Sequence, residues 1–107
     1  MTPSEMTLAG YQEANARPPA FEGSDGRAYS VGVFSDDDHG ADGRYGASLL
    51  FIRWSATQEP DGHLESDYLA HAAQPADAEA QVGAMTLFEV KTALDGLIAR
   101  RDAGAAT

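Results

Sequence analysis

Residues 45–55 constrain this chain more tightly than any other stretch. Side chains alternate between the two faces of a strand. Leu49 and Phe51 therefore point one way, and Leu50, Ile52 and Trp54 point the other. A strand that is apolar on both faces must be covered on both. One layer of helices covers only one face. The other needs the N-terminal segment or a second copy of the chain.

The flanking sequence places this strand in an antiparallel sheet. Residues 27–35 alternate as a strand, with Tyr29, Val31 and Val33 on one face and Ser30 and Gly32 on the other. Phe34 breaks the pattern on the polar side. The link to the next strand is acidic: Asp36, Asp37, Asp38, His39, Gly40, Ala41, Asp42, Gly43. Glu59, Pro60, Asp61 and Gly62 then read as a tight turn, with glycine closing it. Residues 63–71 return as a further strand. Leu64, Tyr68 and Ala70 share one face, while His63, Glu65, Asp67 and His71 share the other. Before all of these, Ala20, Phe21 and Glu22 make a short strand that turns at Ser24, Asp25 and Gly26.

Helices are expected at three places. Thr2, Pro3 and Glu5 resemble a helix start, and Pro18 and Pro19 end whatever forms. Residues 1–19 are thus expected as an N-terminal arm, either a short, loosely packed helix or partly disordered. Residues 75–82 form a short helix with Gly83 just past its end. Thr86 caps the last helix, about residues 86–101, and Glu89 completes a capping box. Leu87, Val90, Leu94, Leu97 and Ile98 give it one apolar stripe. The expected fold is α+β: three to four antiparallel strands in meander order with this helix across one face. Residues 20–102 form the single domain and residues 103–107 a flexible tail. A chain of 107 residues has room for one core.

Charge excludes some functions. The chain carries 17 acidic and 7 basic residues, a net charge of −10. Such a surface repels nucleic acid phosphates and anionic lipids, so neither is expected as a partner. No apolar run approaches the roughly 18 residues that span a membrane. The N-terminus lacks a basic region followed by an apolar run, so no secretory signal is expected and the cytoplasm is the expected location. There is no cysteine, hence no disulfide and no thiolate chemistry.

Four groups of residues are candidates for chemistry. Residues 38–43 resemble the start of a calcium loop, but calcium takes six to eight oxygens. Here Gly40 stands at the third ligand position and Leu49 at the twelfth, and neither offers a side-chain oxygen. His63, Glu65, Asp67 and His71, with His39 from elsewhere, form the candidate metal or small-ligand set. His63 with Glu65 or Asp67 is also the acid–base pair that a catalytic reading would use, given a pocket to tune it. No nucleophile elbow, phosphate loop or dinucleotide fingerprint accompanies it. The balance falls against an enzyme, and no cofactor is expected. Arg53 beside Trp54 is the fourth candidate, since such pairs recur at interface hot spots. The ordinary place for a lone Trp is the core beneath the terminal helix. If Trp54 instead shares an uncovered face with Leu50 and Ile52, that face is a dimer interface.

The leading expectation is a small acidic, non-enzymatic protein–protein interaction module that forms a homodimer, of regulatory or inhibitor and immunity type. The alternative is the metal- or ligand-binding domain on the His63 strand.

Overall fold

The computed structural model describes residues 6–105. In chain order these form helix α1 Leu8–Asn15, strands β1 Ala20–Glu22, β2 Ala28–Ser35, β3 Tyr45–Trp54, β4 Pro60–Glu65 and β5 Ala70–Ala72, then helices α2 Pro75–Gly83 and α3 Leu87–Ala105. The sheet is antiparallel in the order β1-β2-β3-β4, and β5 pairs with β3 beyond the end of β4. The fold is α+β, as expected. No described helix is long and apolar enough to cross a membrane.

Register decides which side chains meet. Val31 lies opposite Phe51 and Val33 opposite Leu49. These residues face the helices, where Tyr29, Val31, Leu49 and Phe51 join Ala78 and Val82 of α2 and Val90, Leu94 and Ile98 of α3 in one buried cluster. The capping box forms as read: the Glu89 amide donates to Thr86 Oγ1 at 3.1 Å, and the Thr86 amide donates to Glu89 Oε1 at 2.9 Å. The helix then continues to Ala105, past the expected end at residue 101 and into the expected tail. Alanines at 103 and 105 favour helix, and no proline stops it.

The expected short helix of the N-terminal arm forms as α1, with its cap elsewhere. The proposed start at Thr2, Pro3 and Glu5 lies outside the described residues. The observed cap is Thr7, whose Oγ1 accepts from the Gly10 amide at 3.0 Å. The arm is docked. Leu8 is fully buried, its amide donates to Met85 O, and the Leu87 amide donates to Met6 O, both at 2.8 Å. Gly83 is the last residue of α2 and no left-handed cap. It admits α1, because a Cβ there would come within 3.2 Å of Ala9 Cβ.

Two strand boundaries also move. The turn before β4 spans residues 55–59, not 59–62: the Ser55 amide bonds Glu59 O and Gln58 takes the left-handed position at φ 66°. Pro60 opens β4, a first-strand position that tolerates the missing N–H. The expected strand over residues 63–71 breaks after Glu65. Ser66 replaces a ladder contact with its side chain, Oγ accepting from the Leu49 amide at 2.9 Å. The excursion over residues 66–69 upsets the period of two. Tyr68 therefore does not share the inward face of Leu64 and Ala70. Its ring lies against Gly46, where a Cβ would fall 2.6 Å from Tyr68 Cδ1.

Both helices of the core and α1 sit on the same side. Leu8 of α1 belongs to the helix-side cluster, and α1 packs against α2. No described helix lies across the opposite sheet face, where α1 contributes Gln12 to the lining of one groove.

Candidate functional site

The uncovered face is built from the even-numbered residues of β2 and β3. Ser30, Gly32 and Phe34 lie beside Ile52, Leu50 and Ser48, their register partners. Trp54 extends the row. It is half-buried and stays outside the core cluster, and its indole N–H donates to Ser30 Oγ at 2.9 Å. The expectation of a core Trp beneath α3 is thus overturned, because alternation carries Trp54 to the side opposite the helices. On the β4 margin His63 stands opposite Ile52 and Glu65 opposite Leu50.

The relief of the face is a ridge between two grooves. Leu50 and Ile52 form the ridge. On one side they wall a groove with Ser30, Gly32 and Phe34, closed by Gln12 and Pro18. On the other they wall a groove with Pro60, His63 and Glu65. Gly32 is the floor of the first, since a Cβ there would meet nothing within 4 Å. Phe34 and Tyr68 are more than two-fifths exposed, at 42% and 48%. The Ser48 hydroxyl is buried and has no hydrogen-bond partner among the described residues. Neither β2 nor β3 contains a carboxylate.

Arg53 is not on this face. It points to the helix side, where Nε donates to Asp61 Oδ1 and Nη2 to Asp61 O, both at 2.8 Å. Asp61 also pairs with Arg27. The hydrogen bonds from Arg53 and Arg27 hold the Asp61 carboxyl below its ordinary range. The interaction set Leu50, Ile52, Trp54 and Arg53 is therefore divided between two surfaces.

The candidate metal set is scattered. His63 and Glu65 are exposed on β4. Asp67 is exposed, with its carboxylate 3.7 Å from Arg100. His71 lies edge-on to Tyr68 at 5.5 Å, and His39 edge-on to Tyr45 at 5.9 Å. His39 and His71 line one cavity with Asp36, Asp38 and Asp42. Asp42, however, is committed to Arg44, accepting its amide at 3.0 Å and its Nε at 3.1 Å. Among the described residues no three His, Asp or Glu side chains are placed to hold a metal ion.

Sequence reasoning passed over a second polar centre. Tyr29 is fully buried, and its hydroxyl donates to Asp25 Oδ2 at 2.7 Å. Arg101 reaches back from α3, Nη1 to the Tyr29 hydroxyl at 3.3 Å and Nη2 to Asp25 Oδ2 at 3.1 Å. Burial works to raise the Asp25 carboxyl, but hydrogen bonds from Tyr29, the Arg27 amide and Arg101 outweigh it and hold it below the usual value. Burial and the Asp25 hydrogen bond push the Tyr29 hydroxyl up. The partners are about 70 residues apart in sequence, a separation that no local pattern reveals.

No family model, curated protein or solved structure matches this chain.

Proposed function

We propose that the chain is a non-enzymatic interaction module that self-associates through the uncovered sheet face. The observation that carries it is Gly32. Glycine inside a strand weakens it and marks a place where another backbone or ligand comes close. The groove over Gly32 is also the natural seat for a ridge such as Leu50 and Ile52. A two-fold dimer presents the same patch on both copies, so the ridge of each fits the groove of the other.

Charge favours a second copy over a basic protein at this face. The chain carries 17 acidic residues, yet β2 and β3 bear none. Two copies of a chain with net charge −10 meet most easily where the carboxylates are missing. The acids then lie on the periphery and remain open to a basic protein, as a regulatory or inhibitor role requires. The metal-binding alternative draws less support, because Asp67, His71 and His39 do not join His63 and Glu65.

Trp54 is the only tryptophan and reports on the face directly. Its emission should shift to longer wavelength on dilution as the dimer separates. Emission that stays unchanged from dilute to concentrated solution speaks against self-association here.

A further inference from the structure

On the helix-covered side, at the end of the sheet near the β1–β2 turn, lies a small cavity of about 160 Å³. Its lining is Tyr29, Arg53, Gly62, His63, Leu64 and Arg101. In a chain with 17 acidic and 7 basic residues, no acidic residue lines it. Asp25, Asp61 and Asp102 hold the guanidiniums, but none of them reaches the cavity wall.

We propose that this cavity binds a small oxyanion, a carboxylate or phosphate group, between Arg53 and Arg101. A guanidinium has five N–H donors. Arg53 commits two, to Asp61 Oδ1 and Asp61 O. Arg101 commits three, to Asp102, Tyr29 and Asp25. Arg101 Nη2 also lies 3.2 Å from Asp102 Oδ1, so among the described residues three donors on Arg53 and one on Arg101 Nη1 stay available for an acceptor. Arg53 reaches its place because residue 62 is glycine: a Cβ there would fall 2.9 Å from Arg53 Nη2. Its guanidinium is further fixed by Asp61, so its fork is held in place before any ligand arrives. Leu64 and the Tyr29 ring supply an apolar wall, which suits the carbon end of a short carboxylate.

Size limits the ligand. At roughly 30 Å³ per water molecule, the cavity holds about five non-hydrogen atoms. Phosphate, or a carboxylate of two to three carbons, fits within it. Gly62 and His63 also line the outer groove beside Ile52, whereas Arg53 and Arg101 line this cavity and neither groove of the proposed dimer face, so loss of anion binding in Arg53→Gln and loss of self-association are read separately.

The test is amide and arginine Nε–H nuclear magnetic resonance on the full chain. Inorganic phosphate and, separately, acetate are titrated at constant ionic strength, about 0.15 M. Expected are saturable shifts at Gly62, His63 and Arg101 Nε with at least one of the two anions, and the tighter binder identifies the group. Arg53→Gln should weaken that binding at least tenfold, while Arg44→Gln, in the acidic loop away from the cavity, leaves it unchanged. Gly62→Ala, which displaces the Arg53 guanidinium, provides the same test should Arg53→Gln not fold. Shifts that stay linear for both anions overturn the proposal, as does equal affinity in Arg53→Gln or Gly62→Ala.

Discussion

The indole N–H of Trp54 donates to the hydroxyl of Ser30 on the neighbouring strand at 2.9 Å. This bond ties the largest side chain of the uncovered face across β2 and β3. A half-buried neutral hydrogen bond contributes about 1 kcal/mol. Ser30→Ala should lower stability by roughly that amount in urea unfolding and change the Trp54 emission. Ser24→Ala, whose side chain makes no hydrogen bond among the described residues, should leave both unchanged.

Leucines on the two faces should respond differently to truncation. Leu94 is fully buried beneath the sheet, whereas Leu50 is half-buried on the open side. Leu94→Ala should cost about 2–5 kcal/mol, the range for buried leucines. Leu50→Ala should cost the isolated monomer clearly less, with its main effect on association. Chemical denaturation at low protein concentration checks both values.

Gly32 separates folding from association. Its backbone is not in the left-handed region, and a Cβ meets nothing within 4 Å. Gly32→Val should therefore raise monomer stability by about 0.5–1 kcal/mol while weakening the dimer. A thermal melt and a size measurement on the same sample show the two effects moving in opposite directions.

The Asp25 cluster makes stability depend on pH at the acid end. The folded chain holds the Asp25 carboxyl below its ordinary value. In the window below about pH 4 the unfolded chain therefore binds more protons, and stability rises with pH. The contribution is complete above that window and lost as pH falls through the lowered folded value. Tyr29→Phe removes one of the hydrogen bonds responsible. It should lower stability at neutral pH by about 1 kcal/mol and flatten the acid limb of the stability profile.

Much of the fold is legible in local pattern. The box at Thr86 and Glu89, the turn at Asp25 and Gly26, and the alternation in β2 and β3 each act over a few residues. Legibility fails where distant parts decide. Pro60 and Gly62 imitate a turn, but the left-handed Gln58 turns the chain first. Ser66 breaks a strand by giving its hydroxyl to the ladder, and that carries Tyr68 to the other face. Gly83 resembles a helix stop and instead admits α1. The face itself was half visible: Leu50, Ile52 and Trp54 are grouped by alternation alone, and Phe34, the residue that broke the pattern, belongs with them. The cavity between Arg53 and Arg101 was invisible, because it joins a strand to the far end of the last helix.

Sedimentation equilibrium across a concentration series, on the full chain and on Gly32→Glu, tests self-association through the open face most directly. The chain should reach twice its 11.3 kDa mass, and Gly32→Glu, folded by circular dichroism, should remain at the single-chain mass. A wild-type chain that stays monomeric at every concentration contradicts the account, and so does a Gly32→Glu variant that still dimerises.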